Sequence, residues 1–278
     1  MDYKRKIDFA IKLLRSIPQD GPIELCYSGG KDSDVILELA KMSGIPFEAI
    51  YKNTTIDPPG TIAHCKENGV KVVHPKKTFF QLIEKNSIPT RWSRFCCAYL
   101  KEYKIHDRAI QGIRRSESTK RAARYKEPEE CRVYSKKEKA RVYFPILEWG
   151  NDDVERFISD RQIKCAPIYY DADGTFHVER RLGCIGCPLA SGNGRYDYLH
   201  YPKMLRQTVK AAQKYLDSHP HTKAYQIMDG SAYNLVFKRI FCKTMDDYDS
   251  IVLGGILPDS AIDTKAFLED YFNIDLTI

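Results

Sequence analysis

No apolar run in this 278-residue sequence approaches the roughly 20 residues that a bilayer span requires. The opening Met1-Asp2-Tyr3-Lys4-Arg5-Lys6 leads into an amphipathic pattern of Ile7, Phe9, Ala10, Leu13 and Leu14, where a secretory leader would carry an apolar block. Internal repeats and low-complexity segments are absent. Cysteine is modest and odd in number, at nine, which argues against a disulfide framework. Together these absences predict a cytoplasmic protein with no membrane partner.

What is present suits one large α/β domain, or a domain with an appendage: 43% of residues are hydrophobic and 29% charged. The net charge of +7 is local. Residues 101–141 hold fourteen Lys/Arg against seven Asp/Glu, and the rest of the chain is balanced. A basic stretch of this kind suits a polyanionic ligand, a nucleotide, sulfonucleotide or nucleic acid, although charge runs are often no more than solvated loops.

Hydrophobic periodicity predicts strands at 23–27, 47–51, 70–74 and 109–113, with 142–146 either a strand or extended chain. Helices are predicted at 3–16, 33–43, up to about 68, 79–85, 97–107 and 152–161, followed by a loop-rich stretch from 165 to 194. Beyond 201 the pattern is mostly helical, at 201–217, 231–241 and 264–272. Alternating strands and helices imply an α/β fold with a doubly wound parallel sheet and a helical C-terminal extension, divided into residues 1–190 and 191–278. In such sheets ligands bind beyond the carboxyl ends of the strands. Two segments fall there: residues 28–33, and the polar turn that begins at Asn53.

The first segment is Ser28-Gly29-Gly30-Lys31-Asp32-Ser33. Its glycines permit backbone angles that turn peptide N–H groups towards one point, and the following helix aims its positive end there. Ser28 and Ser33 add hydroxyls, and Lys31 adds a mobile charge. A Walker A loop would place four residues between its glycines and follow its lysine with Ser or Thr, whereas Asp32 follows Lys31 here. The segment resembles the Ser-Gly-Gly-x-Asp-Ser signature of the PP-loop ATP pyrophosphatases, in which the loop holds the pyrophosphate of ATP while the α-phosphate is attacked.

Cys184-Ile185-Gly186-Cys187 forms a turn suited to a metal, although a C-x-x-C alone also fits a redox pair or coincidence. Cys96-Cys97 lies 87 residues earlier, counted from Cys97 to Cys184. Adjacent cysteines suit two corners of a 4Fe–4S cube better than a zinc tetrahedron. Asp171-Ala172-Asp173-Gly174 lacks the later ligands of a calcium loop and reads as a turn.

The order Cys-Cys, long gap, Cys-x-x-Cys resembles the cluster motif of assimilatory adenylylsulfate reductases. Gly112-Ile113-Arg114-Arg115-Ser116-Glu117-Ser118 with Arg121, Phe144-Pro145-Ile146-Leu147-Glu148-Trp149, Asp153-Val154 and Pro167-Ile168-Tyr169-Tyr170-Asp171 resemble other blocks of the same family. On these residues, spanning about 20–190, the chain is identified as a member of the phosphoadenosine phosphosulfate reductase family within the PP-loop superfamily. The resemblance implies nucleotide contacts at Ser28, Gly29, Gly30, Lys31, Asp32, Ser33, Asn53, Arg114 and Arg121. Catalytic roles fall to Lys31, Asp32 and Arg114, with Asp32 also a candidate for a Mg²⁺ ion. Cys96, Cys97, Cys184 and Cys187 would hold a 4Fe–4S cluster, or zinc.

Two departures shape the expected function. The reductases carry a catalytic cysteine near the C-terminus, whereas the last cysteine here is Cys242. The loop also keeps the full ATP-type signature, which reductases often lose. Both favour ATP-dependent adenylation coupled to sulfur transfer, chemistry that resembles tRNA-thiolating enzymes and the cluster-bearing enzyme of DNA phosphorothioation. A sulfur or electron donor protein would be a partner, and residues 101–141 could track nucleic acid, with Tyr99, Tyr103 and Tyr125 as stacking groups or ordinary packing. The alternatives are reduction of adenylylsulfate or its 3′-phosphate by an atypical thiol, Cys242 or Cys26, and a non-catalytic nucleotide binder with structural zinc. Cys26, in a strand, otherwise reads as a small core hydrophobe.

Overall fold

The computed structural model describes residues 2–252 and 261–278. The chain forms two compact units. The first comprises Met1–Asn53, Asp57–Pro75 and Lys101–Gly183; the second comprises Thr54–Ile56, Lys76–Leu100 and Cys184–Ile278. This division differs from a single cut at residue 190. The helix Phe79–Asn86 packs on the helix Pro202–Ser218, so a segment distant in sequence joins the C-terminal helices.

The first unit is built on a six-stranded sheet of β1 (Ile23–Tyr27), β2 (Glu48–Lys52), β3 (Lys71–Val73), β4 (Arg108–Gln111), β5 (Glu129–Val133) and β6 (Lys139–Tyr143), ordered β3-β2-β1-β4-β6-β5. All neighbours run parallel except β5, which pairs antiparallel with β6 at the edge. The order reverses between β1 and β4, the switch point expected of a doubly wound sheet. Strand alternation divides the side chains between two faces. Leu25, Ile110 and Tyr143 stand in one row and join the larger core with Leu14, Val35, Trp149 and Phe157. Ala109 and Val142, one step along, pack with Phe144 and Leu147 on the other face, against Cys26.

β5 escapes hydrophobic patterning because it is an edge strand. Glu129-Glu130-Cys131-Arg132-Val133 alternates between exposed and half-buried and carries three charges. The helix predicted at 97–107 is only Phe95–Leu100. Residues beyond it are drawn into another role, since the Tyr103 carbonyl accepts a 2.6 Å hydrogen bond from Lys52 Nζ. Lys52 is itself paired at 2.9 Å with Glu24, which is buried on β1.

The second unit is helical, with Arg195–His200, Pro202–Ser218, Lys223–Ile227, Ala232–Phe241, Met245–Val252 and Thr264–Phe272 following Phe79–Asn86 and Phe95–Leu100. Pro202 opens its helix, where a missing N–H costs nothing, and Leu205, Val209, Ala212 and Leu216 then recur at helical spacing on the buried side. Thr78 and Gln81 close a capping box on the helix Phe79–Asn86. No described helix is long and apolar enough to cross a membrane.

Candidate functional site

β1 ends at Tyr27, and the chain turns through Ser28 and Gly29 into the helix Lys31–Ser43. Gly29 has φ 79°, the left-handed region, and a Cβ there would lie 2.9 Å from Thr61 Cγ2. Only glycine fits both conditions without strain. Gly30 is the N-cap residue and no side chain caps this end. Ser33 folds back on the loop, its Oγ donating to the Gly30 carbonyl at 2.6 Å, and Ser28 Oγ lies 3.3 Å from Ser33 Oγ. Two hydroxyls and a helix N-terminus thus face one small volume, an arrangement made for an anion.

The loop is braced from beneath. Asp34 is buried and accepts from the Tyr27 hydroxyl, while His64 Nε2 lies 2.9 Å from the same carboxylate oxygen. His64 therefore serves as a core partner, in keeping with its lack of a metal-spaced companion in sequence. Gly112 closes the other side: a Cβ there would meet the Asp32 carbonyl at 2.9 Å, so β4 approaches the helix start only because residue 112 has no side chain.

A cleft of about 160 Å³ opens above the loop. It is lined by Cys26, Ser28, Gly30, Lys31, Asp32, Ser33, Gly112, Glu117, Arg121, Tyr169, Arg181 and Leu182. Lys31 is almost fully buried, with Nζ 3.4 Å from Asp32 Oδ2, 3.4 Å from the Arg180 carbonyl and 5.4 Å from the Tyr169 ring centre. Burial lowers its pKa, against the opposing pull of Asp32. Arg121 pairs with Glu117, which also holds Arg181 at 3.1 Å. Burial, and then the neighbouring Arg181, lower the Arg121 pKa.

Ser28, Gly30, Lys31, Asp32, Ser33 and Arg121 are thus gathered as the sequence anticipates. Arg114 is placed differently. It is 2% exposed, does not line the cleft, and sets Nε 2.7 Å from Asp32 Oδ1, an ion pair whose angle falls short of a hydrogen bond. Its Nη1 donates to Ser116 Oγ at 3.2 Å and Asn151 Oδ1 at 3.1 Å. In this position Arg114 aims Asp32. Asn53, at the end of β2, is also outside the cleft lining and meets His74 Nδ1 at 3.2 Å.

Arg181 was not anticipated as a site residue, and Glu117 and Tyr169 were anticipated only as parts of family blocks. Tyr169 bears no spacing signal that marks its hydroxyl, which accepts from the Leu182 N–H at 3.3 Å and would lie 3.0 Å from a Cβ at Gly30. Arg181 sits in a loop-rich stretch and reaches Glu117 only through the fold. Cys26 packs on the smaller core as a small hydrophobe would, and it also lines the cleft, half-buried, and donates its thiol to Glu24 Oε1 at 3.3 Å.

The basic stretch 101–141 is largely neutralised. At least nine of its cations pair with carboxylates, among them Lys104 with Asp107, Arg115 with Glu148, Arg132 with Glu130 and Arg141 with Glu129.

Cys96, Cys97, Cys184 and Cys187 all belong to the second unit. Cys96 is held protonated by its hydrogen bond with Cys97 and by burial, and Cys184 is close enough to add to the effect. Arg239 lies within electrostatic reach of Cys187 and Cys96. Four thiols in one unit are a suitable donor set for a soft metal. Even so, among the described residues no three His, Cys, Asp or Glu side chains are grouped to hold a metal ion. The side chains as placed do not form the expected centre.

The model of the phosphoadenosine phosphosulfate reductase domain matches residues 22–190, well over half of the chain. The chain belongs to the phosphoadenosine phosphosulfate reductase family. An uncharacterized protein of Methanocaldococcus jannaschii is 33% identical over 186 residues, covering 60% of this chain and 42% of its own length. The chain therefore spans less than half of that relative. Among solved structures, phosphoadenylyl-sulfate reductase from Candida auris aligns over 65% of this chain and 96% of its own, at 13% identity and a TM-score of 0.44. The NH3-dependent NAD synthetase of Campylobacter jejuni aligns over 77% and 95%, at 13% identity and 0.41. Likenesses of that size add nothing to the fold and site already described.

Proposed function

We propose that the Ser28–Ser33 loop binds ATP by its β,γ-pyrophosphate and presents the α-phosphorus to an acceptor oxygen, which sulfur then replaces. One observation carries this reading: the complete ATP-type donor set stands at a single helix N-terminus, with the Ser28 and Ser33 hydroxyls 3.3 Å apart. In the first step the acceptor oxygen bonds to the α-phosphorus, the bond to pyrophosphate breaks, and pyrophosphate leaves with the electron pair. The loop N–H groups and hydroxyls meet that charge as it develops. Lys31, Arg121 and Arg181 add positive charge around the cleft, partly offset by Asp32 and Glu117. Asp32, held by Arg114, positions the nucleotide or a Mg²⁺ ion. In the second step a sulfur nucleophile, delivered by a donor protein, bonds to the activated centre and AMP departs with its oxygen.

The four cysteines of the second unit enter this proposal only as the ligand set that family resemblance implies for an iron–sulfur cluster or zinc. No step runs through them. The second reading, sulfonucleotide reduction, is favoured by one feature, a cysteine in the cleft. Against it, burial and the adjacent Glu24 push the Cys26 thiol up to about 12, which leaves little thiolate to attack sulfur. Cys242, buried in the second unit, is pushed up to about 11.

Calorimetric titration with ATP and AMP, together with ATP–pyrophosphate exchange, tests the proposal. ATP should bind at least about tenfold more tightly than AMP, and Ser33→Ala should remove most of the difference. Equal affinities in the wild type would refute it. Sulfite release from adenylylsulfate would establish the second reading instead.

A further inference from the structure

The second unit contains a cleft of about 730 Å³ that neither the family resemblance nor the proposed chemistry uses. Five cations line it: Arg91, Arg195, Lys238, Arg239 and Lys243. No Asp or Glu among the described residues lines it. Among the described residues none of the five has a carboxylate within ion-pair distance, in contrast to the heavily paired stretch 101–141. Asp247 acts on Lys243 from a distance and accepts from its backbone N–H at 2.8 Å, yet no described carboxylate touches a cationic head group, and charge so concentrated in a concave wall is costly unless an anion meets it.

The wall is fixed in place. Arg239 donates to the carbonyls of Pro89 at 2.7 Å, Asn193 at 3.1 Å and Gly186 at 3.2 Å, and Arg91 Nε donates to Asn193 Oδ1 at 3.2 Å. These neutral partners order the guanidiniums without cancelling their charge. Arg195 lies over the Phe241 ring at 5.8 Å, and its buried Nε has no hydrogen-bond partner. At the rim stands Trp92, 97% exposed. An indole left wholly in water beside unpaired cations offers a flat face for another ring.

We infer that this cleft binds a single-stranded segment of nucleic acid, with phosphates on the unpaired cations and one base stacked on Trp92. A duplex would offer the same phosphates but hides its base faces, so the exposed indole selects for a single strand. An acidic peptide would satisfy the charges and leave the indole without a partner. The inference is independent of the phosphate loop, because every residue it uses lies in the second unit.

The test uses the full chain and a fluorescein-labelled 12-nucleotide single-stranded DNA, read by anisotropy across a salt series. Trp92→Ala should weaken binding at least about fivefold, the lower end for loss of one stacked base. Its exposure means that folding should survive, which an unchanged melting temperature verifies. The double change Lys238→Ala/Lys243→Ala should lower the slope of log affinity against log salt by about 1.4. Lys203→Ala, an exposed cation outside the cleft, should change neither quantity. Binding should also quench the fluorescence of Trp92, since the other tryptophan, Trp149, is buried in the first unit. Any of three results would overturn the inference: unaltered affinity in Trp92→Ala, an unaltered salt slope in the double variant, or equally tight binding of blunt duplex or polyglutamate.

Discussion

Arg114→Met tests how the fold holds Asp32 at the loop. The guanidinium is 2% exposed and lies 2.7 Å from Asp32, with further bonds to Ser116 and Asn151. Stranding the partner of a buried ion pair costs about 3–5 kcal/mol. Asp32 is 18% exposed and keeps Lys31 Nζ at 3.4 Å, so its share belongs at the lower end, about 3 kcal/mol. Losing the two neutral partners brings the total to about 4 kcal/mol. Asp32→Asn should cost less, about 2 kcal/mol, because Arg114 retains Ser116 and Asn151. The double variant should then recover about 2 kcal/mol relative to the sum of the singles. Urea unfolding in a Trp92→Phe background isolates the signal of Trp149, whose carbonyl accepts from Ser116 Oγ at 2.8 Å and so reports on this neighbourhood. A loss below about 1 kcal/mol in Arg114→Met, or coupling within about 0.5 kcal/mol of zero, would refute the assignment of Arg114 as the residue that positions Asp32.

Gly29→Ala should cost about 1–2 kcal/mol in backbone strain and weaken ATP binding about tenfold, with Thr61→Ser relieving the clash but not the strain; unchanged ATP titration would contradict the loop geometry. Burial raises both Cys26 and Cys65 from an ordinary 9.0 to about 12. The native state therefore holds these protons longer than the unfolded chain, so stability present below pH 9 should fall as pH rises towards 12, and urea midpoints that stay level across that window would contradict it. If Cys96, Cys97, Cys184 and Cys187 are cluster ligands, protein prepared without oxygen should carry about four irons per chain and lose them in Cys184→Ser. Iron-free protein of unchanged stability in both forms would leave the four thiols without a metal role.

The loop was legible in the sequence because its chemistry is local. Ser28, Gly29, Gly30, Asp32 and Ser33 are consecutive or nearly so, and a strand before them and a helix after them suffice to aim N–H groups at one point. β1, β2 and β4 were legible for a related reason, since buried parallel strands read as short apolar runs. β5 was not, because an edge strand is charged and alternates weakly, and its pairing with β6 rests on main-chain bonds. The long-range contacts were also hidden. Arg114 lies 82 positions from Asp32, and nothing in its block distinguishes a guanidinium that touches phosphate from one that braces a carboxylate. Arg181 needs Glu117, and Tyr169 needs the absence of a side chain at Gly30. The charge run at 101–141 was conspicuous in sequence, yet its own carboxylates pair five of its cations and carboxylates from elsewhere in the fold pair four more. Arg91, Arg195, Lys238, Arg239 and Lys243 are scattered through the chain, and only the packing of the second unit gathers them with neutral partners and, among the described residues, no ion pair. Side-chain type and local spacing belong to the sequence, whereas which charges are left unpaired depends on what the tertiary structure places beside them.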